Sequence, residues 1–436
     1  MNVRQTALEL LDKHELEGTY INLALSSPKF DRLESGERGF LTTLLYGTVE
    51  RKLTYDYYVC SLAGRGLDKI DIHTLNILRL GMHQILELRS VPDFAAVNET
   101  VDLGRSKGER SFINGILRAL VRARDAGELP MPKREKSVAR YFSIKYSFPL
   151  WICKHFISVL GEEEAERLLD AFNTHSYTDL TVNTARVSRE ELARRLSESG
   201  REVEISERTE HGIRVFGSAD PTSLPGFAEG YFFVQDEACL ISAEVLGARA
   251  GERIVDVCAC PGGKSFAAAI VAGGCVEVLS LDLHPSKLSL ITEGAHRLGL
   301  SSVHAEIQDA TDPRVELFGT FDRVICDVPC SGLGVLGKKA DIRYKDDGAL
   351  DELPRLQYEI LCQSAGYLRE GGTLVYSTCT LNPLENEEVV RRFLCEHPDM
   401  HPIEFSVGEL TSTGGMLTLM PHIHGTDGFF IAKIGK

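Results

Sequence analysis

Two periodicities divide this chain. From residue 1 to about 128 the apolar positions recur every three or four residues: Val3, Ala7, Leu8 and Leu11, then Phe40, Leu41, Leu44, Leu45 and Val49, then Leu75, Leu78, Leu80, Ile85 and Leu88. That spacing predicts helices with one buried face, and because almost no strand pattern interrupts it, residues 1–128 are expected to form an all-α domain. Leu129-Pro130-Met131-Pro132-Lys133-Arg134 joins proline to charge and reads as a linker. It opens residues 129–225, which predict a small α+β module: helices over 150–160 and 162–173, a strand over 178–186, a helix over 188–198 capped by Ser188 with Glu191, and strands near 202–205 and 213–216. From Tyr231 onward strands alternate with helices. The strands are read at 231–234, 253–258, 276–282, 304–307, 321–328, 373–377 and 428–434, with Gly371 and Gly372 breaking the helix before the sixth. The pattern predicts a doubly wound α/β domain over 226–436 with a mostly parallel sheet.

In such sheets ligands bind at the carboxyl ends of the strands, and the residues there carry chemistry. Arg253 to Val257 leads into Cys258-Ala259-Cys260-Pro261-Gly262-Gly263-Lys264, a tight turn opening a helix, where bare glycines let backbone N–H groups approach a ligand. Asp282 ends the next strand, placed to hold a ribose diol, and Asp309 ends the third. Strand-end acids after a glycine-rich first loop describe an adenosine pocket, for S-adenosylmethionine or a dinucleotide. The loop lacks both the Walker A spacing and the dinucleotide fingerprint. A G-x-G-x-x-G match at Gly332, Gly334 and Gly337 comes late in the domain and is set aside as a decoy. Two cysteines lie at strand ends, Cys330 after Asp327-Val328-Pro329 and Cys379 after Ser377-Thr378, so two thiols are expected to face one cleft. Free cysteines are more often small buried hydrophobes, but the flanking residues here argue for chemistry.

Composition narrows the class. The chain is 43% hydrophobic and 25% charged, with no apolar run long enough for a membrane span. Its opening, MNVRQTALELLDKHELEG, is charged throughout and lacks the apolar core of a signal peptide, so a cytoplasmic location is expected. Eleven cysteines, an odd number scattered without paired ligand spacing, point to reduced thiols and to no metal. The net charge of −15 is uneven: residues 1–140 hold 21 Lys and Arg against 19 Asp and Glu, which leaves 27 against 44 for the remainder. Between Arg105 and Lys145 eleven basic residues face four acidic ones, a candidate phosphate-contacting surface or a solvated helix face.

Several strings carry a family resemblance. Phe112-Ile113-Asn114-Gly115-Ile116-Leu117-Arg118, with the helices around it, resembles the NusB-like RNA-binding domain. YFFVQDEA at 231–238, CACPGGK at 258–264, DVPCSGLGV at 327–335, ADIRY at 340–344, STCTLNPLENE at 377–387 and DGFFIAK at 427–433 together resemble the RNA cytosine-5 methyltransferases of the Sun type. The resemblance implies a Rossmann-like class I methyltransferase domain and S-adenosyl-L-methionine as cofactor, bound by Cys258, Ala259, Cys260, Pro261, Gly262, Gly263, Lys264, Asp282, Asp309 and Asp327. It implies that Cys379 is the nucleophile, that Cys330 assists product release, and that Asp327 lies beside cytosine and cofactor. With a NusB-like domain in front, the architecture looks like the bacterial members acting on 16S ribosomal RNA. The implied partner is small-subunit rRNA presenting an unpaired or extruded cytosine to a monomeric enzyme. The same chemistry on tRNA and a non-catalytic RNA-binding assembly factor are the competing readings. The chain departs from the family at Cys260, where alanine is usual, at Cys239 and Thr380 (serine), at Ala340 (proline) and at Tyr344 (tryptophan), which removes no group the chemistry needs but leaves substrate fit open.

The chemistry agrees independently. Cytosine C5 is a poor nucleophile until a thiolate adds at C6, and loss of the C5 proton with elimination of the thiol restores the ring. An ordinary thiol is only a few per cent ionised at neutral pH, so either the site favours the anion or the base draws it in.

Overall fold

Contacts divide the chain into two units, and the division is not a single cut: residues 1–173 with 338–345 form one, and residues 174–337 with 346–436 the other. The computed structural model describes all but residues 1, 26, 28, 29, 31, 32, 175, 176, 218, 219, 313, 346, 347 and 349.

The first unit is helical: α1 (Val3–Glu17), α2 (Ile21–Leu25), α3 (Ser35–Glu50), α4 (Lys52–Ala63), α5 (Ile72–Glu87), α6 (Asp93–Val101), α7 (Lys107–Asp125), α8 (Val138–Tyr146), α9 (Leu150–Leu160) and α10 (Glu162–Ala171). Side chains close the starts: Asn2 accepts from Arg4 and Gln5 N–H, Asp71 from Thr74, and Ser106 forms a reciprocal capping box with Glu109. Helix α5 is buried from Thr74 to Ile85, so the one charge in that stretch needs full pairing. Arg79 donates to both oxygens of Asp56 at 2.6 and 2.8 Å and to Glu15 at 3.3 Å. Helix α8 packs on α4, with the Thr54 hydroxyl donating to Ile144 O at 2.6 Å and Leu53 N–H to Ser147 Oγ at 3.0 Å.

Residues 338–345 complete this unit's core. Ala340 is buried in a cluster with Leu41, Leu44 and Leu45, and Arg343 has no exposed surface. The Arg343 guanidinium lies 4.4 Å from the Phe148 ring centroid and donates to Asn173 Oδ1 (2.9 Å) and to the carbonyls of Glu50 and Phe172 (3.3 Å each). Tyr344 donates its hydroxyl to Val49 O at 2.7 Å.

The second unit begins with a four-stranded antiparallel sheet of β1 (Tyr177–Val182), β2 (Val203–Ile205), β3 (Gly212–Phe216) and β4 (Phe232–Val234), in the order β2-β3-β1-β4, with α11 (Arg189–Glu198) packed on it. Strand β4 corrects the expectation that residues 231–234 open the doubly wound sheet. It pairs with β1 through Leu180, Thr181 and Val182. An apolar triplet carries no record of which distant strand it will pair with, and this one turns at once into α12 (Glu237–Leu246), which Asp236 caps.

The main sheet then follows: β5 (Arg253–Asp256), β6 (Glu277–Asp282), β7 (Val303–Ile307), β8 (Phe321–Asp327), β9 (Leu368–Thr378), β10 (His401–Pro402) and β14 (Phe429–Gly435), with β13 (Met416–Leu419) on β14. Strands β11 (Ser406–Val407) and β12 (Leu410–Thr411) form a separate hairpin. The order is β10-β14-β9-β8-β5-β6-β7; β5 to β9 are mutually parallel and β14 antiparallel. Helices α13 (Gly263–Val271), α14 (Leu288–Leu298), α15 (Leu353–Tyr367), α16 (Glu387–Glu396) and the short α17 (Pro421–His424) complete the unit. Alternate residues of one strand feed two cores: Ile325, Val375 and Ile431 enter one, Val324, Cys326, Leu374, Tyr376, Phe430 and Ala432 the other. Burial on both faces is why these strands read as continuous apolar runs.

The glycines at 371 and 372 also differ from expectation. Helix α15 already ends at Tyr367, and β9 starts at Leu368 opposite Phe321. Gly371, at φ +74°, donates its N–H to Lys436 O inside the strand, so the pair forms an irregularity in the ladder rather than a helix stop.

Candidate active site

The carboxyl ends of β5, β6, β8 and β9 bring most of the expected residues to one cavity of about 410 Å³, lined by Cys258, Cys260, Asp282, Leu283, His284, Lys287, Asp309, Asp327, Val328, Pro329, Cys330, Leu356, Ile360 and Cys379 among others. The first loop shapes one wall. Gly262 has φ +107°, and a Cβ there would lie 2.5 Å from the Phe266 ring, so glycine is required. Asp282 braces the loop: one carboxylate oxygen accepts Cys260 N–H at 3.1 Å and the other His284 N–H at 3.0 Å. Asp309, two residues beyond β7, accepts from both the N–H and the hydroxyl of Thr311, which hold its carboxyl below the ordinary range.

Lys264 and Asp327, expected separately, form an ion pair at 2.6 Å. Burial opposes charge on Lys264, yet the contact with Asp327 outweighs it and keeps the ammonium protonated well above the usual lysine range. The other Asp327 oxygen accepts the Ser377 hydroxyl at 2.7 Å. The carboxylate is thus oriented from two sides and keeps lone pairs free for a ligand.

Cys330 Sγ and Cys379 Sγ stand 3.2 Å apart. Contact with Cys379 and burial push the Cys330 thiol well up. Burial holds the neighbouring Cys239 and Cys326 up to about 12 and Cys258 well above its ordinary value, which leaves those thiols inert. Ser331 and Thr380, the residues after the two cysteines, meet through their hydroxyls at 2.7 Å.

Three features escaped sequence reasoning. Glu385 lies inside the quoted STCTLNPLENE string without an assigned part, and here it is a fully buried carboxylate behind the cysteine loops. Asp256, at the end of β5, is buried beneath the first loop, where desolvation lifts its carboxyl to about 7 against the Ser265 hydroxyl bond at 2.7 Å. The G-x-G-x-x-G string has a packing reason: Gly334 N–H donates to Cys379 O at 3.0 Å, Gly428 N–H to Gly334 O at 2.8 Å, and a Cβ on Gly334 would collide with the Gly428 carbonyl. A second cavity of about 460 Å³ lies beside the small sheet, and both of its arginines are taken by carboxylates, Arg208 by Glu237 and Glu409, Arg214 by Asp179. Among the described residues no cluster of three or more His, Cys, Asp or Glu could hold a metal, and no helix is long and apolar enough to cross a membrane.

Comparison with known proteins shows the family. Residues 243–435 match the family described as 16S rRNA methyltransferase RsmB/F, residues 1–122 the NusB family, and residues 148–220 the ferredoxin-like domain of RsmF/B-like methyltransferases. The chain is 36% identical to the probable ribosomal RNA small subunit methyltransferase B of Bacillus subtilis (strain 168), over 100% of this chain and 99% of that protein. It is 37% identical to the protein of the same description from Synechocystis, over 100% of both. Among solved structures, that of PH0851 covers 100% of this chain at a TM-score of 0.81 and 24% identity, with 99% of its own chain matched. NSun6 from Pyrococcus horikoshii with SFG covers 67% of this chain and 99% of its own at a TM-score of 0.61 and 22% identity, and both share the fold.

Proposed function

Because this chain belongs to the RsmB/F family of small-subunit ribosomal RNA methyltransferases, which use S-adenosylmethionine, we propose that it methylates C5 of a cytosine in 16S rRNA through a covalent bond from Cys379 to C6. The observation that carries this reading is the pair of thiols, 3.2 Å apart, lining the same cavity as Cys258 and Cys260 of the first loop and Asp282, which braces that loop.

The cavity suits the donor. Its volume falls within the usual range for a small-molecule site, its Asp282 and Asp309 carboxylates suit hydroxyl and amino groups, and Leu283, Val328, Leu356 and Ile360 supply apolar walls for a purine. When bound there, S-adenosylmethionine supplies an electrophilic methyl group. The residues that would hold it are Cys258 to Lys264, Asp282, Asp309 and Asp327.

The remaining work falls to the protein. Cys379, as its thiolate, attacks C6 of an extruded cytosine. Asp327, fixed by Lys264 and Ser377, accepts from the cytosine N3/N4 edge and stabilises the charged adduct. Cys330 assists the elimination: the C5 proton passes to water, the C5–C6 double bond re-forms as the C6–S bond breaks, and the Cys330 S–H stabilises the departing Cys379 thiolate. The helical region 1–128 and the module 129–225 engage RNA, the region 226–436 carries the chemistry, and the protein acts as a monomer in the cytoplasm.

The test separates the cysteines. With substrate RNA and methyl donor, Cys379→Ala should give neither 5-methylcytosine nor a protein–RNA conjugate on a denaturing gel. Cys330→Ala should methylate once and accumulate the conjugate. Conjugate from Cys379→Ala but none from Cys330→Ala would reverse the two roles.

A further inference from the structure

We propose that Glu385 is a positioning residue that sets the spacing of the two active-site thiols. The proposal rests on reading Cys330 and Cys379 as the acting pair, and goes beyond it by naming what holds them. The two cysteines sit on separate loops, one after β8 and one after β9, with no covalent tie between them. Glu385 has no exposed surface and spends both carboxylate oxygens on those loops. Oε2 accepts the Ser331 N–H and the Gln357 side-chain amide, each at 2.9 Å; Oε1 accepts the Ser331 hydroxyl at 2.6 Å and the Asn382 amide at 3.0 Å.

The direction of these bonds matters. Since the Ser331 hydroxyl donates to Glu385, it is left to accept at 2.7 Å from the Thr380 hydroxyl, which ties the residue after Cys330 to the residue after Cys379. Helix α15 joins through Gln357, which also donates to Pro329 O at 3.0 Å, on the other side of Cys330. Every group bonded to the Glu385 carboxylate is a donor. An amide in its place would set N–H groups against N–H groups at one oxygen, or turn the Ser331 hydroxyl around and break its link to Thr380. A buried charge is costly unless fully bonded, and this one is bonded at four points to the cysteine loops and their supports. Its field also disfavours a second charge at Cys330.

The spacing can be read without catalysis. Diamide takes two protons and two electrons from a pair of thiols into its N=N bond and leaves a disulfide, at a rate that depends on how often the sulfurs meet. In the full-length protein, Cys330–Cys379 cross-linking should be measured by mass spectrometry in the wild type, Glu385→Gln and Ser331→Ala. Glu385→Gln should cross-link at least about tenfold more slowly and lose at least about tenfold in kcat, with KM for RNA and calorimetric affinity for S-adenosylmethionine within about twofold of wild type. Ser331→Ala, which keeps its backbone N–H bond to Glu385, should lie between and guards against a folding failure in the first variant. Cross-linking within about twofold of wild type in both variants, or an unchanged kcat in Glu385→Gln, would overturn the proposal. Slowed cross-linking beside a wild type that methylates no RNA would support the positioning role and count against the cytosine-5 reading instead.

Discussion

Asp256 shows how one buried carboxyl ties the first loop to pH. Burial lifts it from 3.8 to about 7, with Ser265 and Lys264 pulling the other way. Between about pH 4 and pH 7 the unfolded chain has released this proton while the folded chain keeps it, so the stability contributed falls as pH rises and is flat above 7. Across the whole window the loss is on the order of 4 kcal/mol. Asp256→Asn keeps the shape and removes the titration. Urea unfolding at pH 5 and pH 8 should therefore show the variant gaining about 2–3 kcal/mol on the wild type over that interval. A constant difference at the two pH values would mean that Asp256 titrates normally in the folded protein. Asp256 was legible only as part of a strand read over 253–258 and not as a perturbed acid at its end, because its surroundings, Ser265 and Ser280, come from other elements. Glu385 was hidden for the same reason: three of its four bonds go to Ser331 and Gln357, far along the chain.

At the scale of elements, the segment 338–345 is the most unusual piece. It leaves the second unit directly after the Gly332–Gly337 loop and supplies the first unit with a buried arginine. Arg343→Ala would strip donors from the Glu50 and Phe172 carbonyls and from Asn173, and take the cation off Phe148, a loss of about 3–5 kcal/mol. The full-length variant should melt several degrees lower in calorimetry, and Arg343→Lys should recover less than half of the loss because an ammonium lacks the planar fork. An unchanged midpoint in Arg343→Ala would show that this segment is a passenger. The ADIRY string was visible as a motif, but no periodicity tells a reader that Ala340, Arg343 and Tyr344 pack against residues lying between Leu41 and Asn173, far upstream in the chain. Strands buried on both faces, by contrast, were legible from their apolar runs to within a few residues. Phe232–Val234 was legible as a strand and not as a member of the small sheet, since pairing with Leu180 to Val182 is a long-range choice. The minor strands within 401–419, two to four residues each, were too short to leave a pattern.

For the molecule as a whole, the acidic total conceals how its cations are used. Of the eleven basic residues between Arg105 and Lys145, Arg124 is held by Asp93 and Asp125, and Arg134 and Lys145 both by Glu166, so these already have anionic partners. Arg105, Lys107, Arg122, Lys133, Lys136 and Arg140 are exposed, and among the described residues no ion pair takes their side chains. Near Arg105 a cavity of about 350 Å³ also presents Lys69 and Arg65, the latter 4.1 Å from the Phe112 ring centroid. Free cations of this kind release counterions when they meet phosphate, whereas paired ones must first give up a carboxylate. Removing residues 1–128 is a poor test of this surface, because it strips α4 from α8 and leaves Arg343 without Glu50. Substitution is cleaner. Replacing the six free cations with serine should weaken RNA binding and flatten the plot of log affinity against log salt by up to about 0.7–0.9 for each phosphate no longer neutralised. Replacing Arg124, Arg134 and Lys145 with glutamine should leave that slope nearly unchanged, and the affinity for S-adenosylmethionine should be the same in every variant. Equal slopes for the sixfold variant and the wild type would return this stretch to an ordinary solvated surface.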